Sequence, residues 1–298
     1  MSKGRLTLVD QMTIAIPFAW LAAFLALPLI AVASLAFRRV ADSIPPVAPV
    51  LSREQGHLAL NLSLRSFSMV TQDPLYLSAF WNGLANATLT TVGCILIGFP
   101  LAFAIARSPL RRRNLYVLLA ILPFWTSFLL RAYAWMGLIR DSGPINSLLL
   151  AFGIVHQPLA ILYSPAAVLL VMIYSYLPFF VLPMYAVLEK LPQDLLAAAS
   201  DLGARPAHAF RTVTLPLSLP GIVSGATLVF VPAVGEYVIP ELVGSSSTMM
   251  IGGILWDEFF QNRDWPLAAA IALVTFVALM LAALALKRWL GKLGGIAV

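Results

Sequence analysis

AAASDLGARPAHAFRTVTLPLSLPG, residues 197–221, sets Asp201, Gly203, Arg205, Pro206, His208 and Arg211 between two long apolar runs. The stretch is polar enough to lie in water, yet its apolar residues are spaced for a helix. Pro192 suits a first helical turn, and Asp194 complements the positive end of the helix dipole. Leu195, Leu196, Ala199 and Leu202 fall on one stripe. Gly203 fits a C-terminal cap, and Pro206 prevents continuation. A second short turn, 207–212, precedes Leu215 and Pro216, which open the next apolar run. The expected product is a small bent helical knob whose apolar stripe has no partner in its own segment. Such a stripe either rests on lipid headgroups or docks into another protein.

The runs that flank the knob set the fold class. A helix crosses hydrocarbon with about 20 apolar residues. Six windows of that kind are expected, at about 12–37, 83–106, 114–138, 166–188, 216–236 and 266–286. The fifth is the weakest, because Pro216, Pro220, Pro232 and Gly235 interrupt it, which predicts a kinked helix at a pore wall. The composition agrees: of 298 residues, 60% are hydrophobic and 11% charged, with a mean hydropathy of +0.90. Soluble domains carry about a quarter charged residues.

Charge then orients the spans. With both termini inside, the inner side holds most of the Lys and Arg, and Arg107, Arg111, Arg112 and Arg113 share one short loop. The knob then lies in the cytoplasm. The net charge of +6 reflects this asymmetry and is no argument for nucleic acid. Lys3 and Arg5 precede the first run, which is too long for a secretory signal and reads as the first span. The long outer connection 38–80, with Pro45, Pro46 and Pro49, is expected to be irregular apart from a short amphipathic piece. The single cysteine, Cys94, excludes a disulfide framework and a multi-Cys metal site, and reads as a small core residue.

The knob resembles the "EAA" loop of the permeases of binding-protein-dependent ABC importers. That motif is Glu-Ala-Ala, three residues, Gly, nine residues, Ile, any residue, Leu-Pro. Ala197, Ala198 and Ala199 align with Glu-Ala-Ala, Gly203 with the Gly, Val213 with the Ile, and Leu215-Pro216 with the Leu-Pro. Ala197 departs from the Glu and Val213 from the Ile, with the spacing kept. The resemblance implies that Asp194, Leu195, Ala197, Ala198, Ala199, Asp201, Gly203, Leu215 and Pro216 form a coupling helix seated in a groove of a separate ATPase subunit. The chain carries no phosphate-binding loop pattern of its own.

Four further strings, 122–146, 174–185, 229–244 and 256–268, resemble the polyamine branch of that family, particularly putrescine permease subunits. The residues suit a cation. Glu236, Glu241, Asp257, Glu258 and Asp264 occur close together with Tyr237, Trp256, Phe259, Phe260 and Trp265 interleaved. Carboxylates and aromatic faces are what alkyl-ammonium groups need. Trp256 and Trp265 equally suit interfacial anchors, and Asp257 and Glu258 suit contacts to a soluble binding protein. Glu236 ends a span, where an acid is costly unless paired or wet, so it either faces the pathway or pairs within the bundle. Arg131 is the other intramembrane charge and is expected to be a structural ion pair, with a gate or a partnership with Glu236 as the alternative. Gly221 and Gly225 form a Gly-x-x-x-Gly that permits close helix contact. His57, His156 and His208 lie far apart in predicted loops, and no residues have metal spacing or a catalytic arrangement.

The expectation is therefore an all-α membrane protein with six transmembrane helices, of the type I ABC-importer permease fold, with an N-terminal extra helix and a cytoplasmic coupling helix. Residues 1–79 form the first helix and outer loop, 80–288 the importer domain with its coupling loop at 190–216, and 289–298 a cytoplasmic tail. The resemblance implies a bacterial inner-membrane permease for putrescine or a related polyamine, with no cofactor. Its implied partners are an ABC ATPase dimer, a second similar permease, a periplasmic polyamine-binding protein and membrane lipid. The rivals are an ABC permease for an opine, another amine or a metal cation, and an ATP-independent secondary transporter, for which no internal repeat is found.

Overall fold

The computed structural model describes residues 8–54, 57–192 and 194–292. Among them, five helices are long and apolar enough to cross a membrane, or six if one bent helix pair counts as a single span. The chain divides into two compact units: Met1–Pro74 with Leu255–Met280, and Leu75–Ile254 with Leu281–Val298.

The first unit opens with α1 (Leu8–Ala36). Every residue from Thr13 to Pro28 is exposed, as suits a helix surrounded by lipid. The connection that follows is more regular than expected. A two-stranded antiparallel ribbon, β1 (Leu51–Glu54) and β2 (His57–Leu60), pairs Leu51 with Leu60. The short amphipathic piece is α2 (Arg65–Gln72), which buries Ser66 and Val70. Phe67 of α2 packs its ring 4.9 Å from that of Phe37, just past the end of α1. The last span, α13 (Trp265–Lys292), starts in this unit with Leu267 to Ile271 buried and runs beyond the expected end at 286.

In the second unit, three spans meet: α3 (Pro74–Arg107), α7 (Pro165–Glu189) and α10 (Leu215–Val234). Glycines let them approach. A Cβ at Gly225 of α10 would fall 2.8 Å from the ring of Phe180, and one at Gly98 of α3 would fall 2.6 Å from the other side of that ring. Phe180, fully buried on α7, therefore fills a slot made by two missing side chains. Gly221 lies likewise against Met184 and Val187, as the Gly-x-x-x-Gly spacing predicts. Cys94 is buried, with its thiol 3.6 Å from the carbonyl of Ile173.

One expectation about the spans needs correction. The window 114–138 is not one straight helix. It splits into α4 (Leu110–Ile121), a 3₁₀ turn (Leu122–Trp125), and α5 (Phe128–Ile139) followed by α6 (Pro144–Ala151), and the pair is bent by 92°. Pro123, without an N–H, cannot continue the α4 ladder. The fifth span, expected to be kinked by its prolines, forms one continuous helix: α10 runs unbroken with Pro220 and Pro232 inside it. Pro216 falls in its first turn, where a proline N–H is not missed. The interruptions lie at its ends, in a π-turn (Phe210–Thr214) and at Gly235.

Candidate functional site

The knob forms as its turn chemistry requires. α8 (Asp194–Asp201) ends at Gly203, whose φ is +81°, a conformation that favours glycine. The amide of Ala204 donates to the carbonyl of Ala199 at 3.0 Å, and that of Gly203 to Ser200 at 2.9 Å. This is the paired closure of a Schellman cap, with Gly203 in its left-handed position. α9 (Pro206–Ala209) and the π-turn then lead without a gap into α10. Phe210 packs edge-on against Phe99 at 5.6 Å and Phe103 at 6.3 Å, which ties the knob to α3. Nothing in α8 is buried. Asp194, Leu195, Ala197, Ala198 and Asp201 are exposed, Ala199 is half-buried, and Leu202 is 89% exposed. Leu215 and Pro216 are exposed at the start of α10. Ala199, Leu202, Gly203 and His208 are among the residues lining an open hollow of about 520 Å³.

The other candidate residues follow α10. Gly235 ends that helix, Glu236 and Tyr237 turn the chain, and α11 (Val238–Val243) begins. Glu236 is 7% exposed, and its carboxylate holds this corner. Its Oε1 accepts the amides of Tyr237, Val238 and Ile239 at 3.1, 2.9 and 3.3 Å. Its Oε2 accepts the hydroxyl of Tyr176 from α7 at 2.6 Å. Four donors and a helix start thus surround a carboxylate that would otherwise be costly at this depth. Gly252 of α12 (Ile251–Trp256) braces the same corner, since a Cβ there would fall 2.3 Å from the Gly235 carbonyl oxygen.

Glu236 lines an open cleft of about 590 Å³. Phe124, Phe128 and Phe179 contribute aromatic faces, Tyr176, Tyr237 and Ser175 contribute hydroxyls, and Arg131 contributes a cation. The expected ion pair of Arg131 is not formed among the described residues. Arg131 instead donates to the carbonyls of Pro123 and Thr126, the latter at 2.7 Å. Its guanidinium lies over Phe128 at 5.7 Å and Phe124 at 6.0 Å. The reason is the bend. The turn leaves carbonyls outside a helical ladder, and the guanidinium adds donors to them beside the Thr126 hydroxyl, which reaches the Pro123 carbonyl at 2.9 Å.

Of the remaining candidates, Glu241 is exposed on α11 and does not line the cleft. Trp256, Asp257 and Glu258 belong to the first unit. There Trp256 packs on Phe260 at 4.1 Å, Asp257 accepts from Gln261 at 2.5 Å, and Glu258 accepts from Asn262 at 3.0 Å. No group of three or more His, Cys, Asp or Glu among the described residues could hold a metal. In the sequence Tyr176, Phe124 and Phe128 are ordinary residues of apolar runs. A hydroxyl in mid-span needs a partner, and that was the available signal for Tyr176.

The pattern of the family described as "Binding-protein-dependent transport system inner membrane component" matches residues 95–293 of this sequence. The chain belongs to that family. It is thus a multi-pass inner-membrane transport component with the ABC-importer permease fold. The chain is 34% identical to the spermidine/putrescine transport system permease protein PotB of Haemophilus influenzae over 89% of its own length and 88% of that protein's. It is 38% identical to PotB of Escherichia coli over 70% of this chain and 77% of that one. In fold it is similar to a bacterial alginate ABC transporter solved with an alginate pentasaccharide-bound periplasmic protein. The TM-score is 0.65 and the identity 18%, over 93% of this chain and 91% of that one.

Proposed function

We propose that this chain is the membrane-spanning permease subunit of an ATP-driven importer for putrescine or a related polyamine, working by alternating access. The observation that carries the substrate class is Glu236, a buried carboxylate on an aromatic cleft. An alkyl-ammonium group needs both. It would approach Oε2, which keeps acceptor capacity beside the Tyr176 hydroxyl. Methylene groups would lie against Phe124, Phe128 and Phe179. The names of the PotB relatives support the same class.

Energy would come from outside the chain. An ATPase dimer would seat one of its grooves on the exposed face of α8, at Asp194, Leu195, Ala197, Ala198, Ala199 and Asp201. Because the knob runs on into α10, closure of the ATPases would tilt that span and the corner at Glu236 with it. A second, similar permease would supply the other half of the pathway. A periplasmic polyamine-binding protein would deliver substrate from the outer side, with Asp257 and Glu258 as candidate contacts to it. Both termini would lie in the cytoplasm, as the Lys and Arg balance requires. The importer domain would span 80–288.

One observation favours a second reading. Arg131 lines the cleft with Glu236, so a solute carrying both an amine and a carboxylate, such as an opine, would meet both charges. A panel of labelled solutes separates the two. Uptake of putrescine, spermidine, an opine and a divalent metal is measured in cells carrying the transporter operon with and without this gene. Loss of polyamine uptake alone is expected. Loss confined to the opine would replace the substrate and leave the family assignment standing.

A further inference from the structure

The first unit holds its own cavity, of about 380 Å³. Arg38, Arg39 and Arg65 line it with Ser63 and Ser66, against one carboxylate, Asp264. That carboxylate already caps α13, accepting the amide of Leu267 at 3.0 Å. None of the three arginines has an ion-pair partner among the described residues. The Nε of Arg38 is enclosed and has no hydrogen-bond partner among them either. The first turn of α2, at Arg65 and Ser66, has no acid and no side-chain cap. Three cations around one cavity repel each other, and an excess of positive lining selects an anion. Guanidinium forks and serine hydroxyls match phosphate oxygens.

The position of the cavity says which phosphate. Arg38 lies two residues past the end of α1, and Asp264 lies one residue before α13 begins. Both helices are candidate spans, so the cavity sits where they leave the hydrocarbon. Lipid phosphates occupy that level. α1 is apolar and bare on every side from Thr13 to Pro28, which offers acyl chains a surface below the headgroup. We propose that the Arg38, Arg39 and Arg65 cavity binds the phosphate of an anionic phospholipid at the membrane interface.

The test uses the full chain with its co-purifying subunits, extracted in mild detergent. Native mass spectrometry counts retained phospholipid and follows titrations with phosphatidylglycerol, phosphatidylcholine and inorganic phosphate. Wild type should hold one phosphatidylglycerol through delipidation. Arg38→Gln with Arg65→Gln should weaken it at least tenfold, and Arg140→Gln, an exposed arginine of the other unit, should not. Arg38→Lys with Arg65→Lys keeps the charge and loses the fork, so it should weaken binding severalfold while preserving the fold. Equal phosphatidylglycerol binding by wild type and the Lys pair would overturn the proposal. So would displacement by inorganic phosphate at equal affinity, which would make this a free-anion site. Loss of binding-protein docking in the Lys pair with lipid binding unchanged would assign the cavity to a protein partner instead.

Discussion

The hydroxyl of Tyr176 donates to Oε2 of Glu236 at 2.6 Å, joining the middle of α7 to the turn that ends α10. The bond aims the carboxylate along the cleft while three amides hold its other oxygen. A hydrogen bond to a charged group contributes about 1.5–3 kcal/mol. Tyr176→Phe should therefore slow uptake about tenfold or more while leaving membrane levels unchanged. Glu236→Gln removes the charge itself and should abolish polyamine uptake. Initial rates normalised to membrane-inserted protein give the answer. Wild-type uptake by Glu236→Gln would reduce the residue to a cap for α11.

The slot that holds Phe180 makes a stability prediction. Gly225→Val places new carbons within 2.8 Å of that ring and 3.1 Å of the Phe180 carbonyl oxygen. Overpacking of this kind costs about 1–3 kcal/mol. A lower melting temperature of the purified assembly is expected, and Phe180→Leu in the same chain should recover part of the loss. Additive effects of the two changes would mean that the contact is not shared.

Much of this arrangement could be read from sequence where the determining chemistry is local. Gly203 and Pro206 set the turn of the knob within a few residues, and the structure follows that reading to its capping bonds. The spacing of Gly221 and Gly225 allowed a close helix contact, and the fold supplies α7 as the partner. Gly98 did not, because one glycine in an apolar span has no partner until the fold supplies Phe180. The break at Pro123 was lost for a related reason: a hydropathy window sums over 114–138 and ignores direction. At the cleft, Glu236 stood out as an acid closing an apolar run. Tyr176, Phe124 and Phe128 read as ordinary span residues, since their shared cleft exists only after α5, α7 and α10 come together.

Gly203 can be tested by what replaces it. Its φ of +81° penalises a β-branched side chain by about 1–2 kcal/mol and an asparagine by less. A Cβ there meets nothing within 4 Å, so the strain is in the backbone alone. Gly203→Val should reduce co-purification of the ATPase, with Gly203→Asn intermediate. Equal retention by both variants would show that the cap does not shape the docking face.

Arg131 holds the carbonyls of Pro123 and Thr126 at the bend. Arg131→Met removes a charged donor from both carbonyls, a loss of about 1.5–3 kcal/mol for each bond, although the Pro123 carbonyl keeps the Thr126 hydroxyl at 2.9 Å. Faster labelling of a cysteine placed at Thr126 is expected, as the bend loosens. Unchanged labelling would mean that the bend is held by packing of Phe124 on Phe179, whose rings lie 4.8 Å apart.

The most direct test of the account is transport by the purified assembly in proteoliposomes, with binding protein and labelled putrescine outside and ATP inside. Accumulation is expected to need both ATP and this chain, and Glu236→Gln should abolish it. Accumulation that persists without ATP or without any ATPase subunit would contradict it.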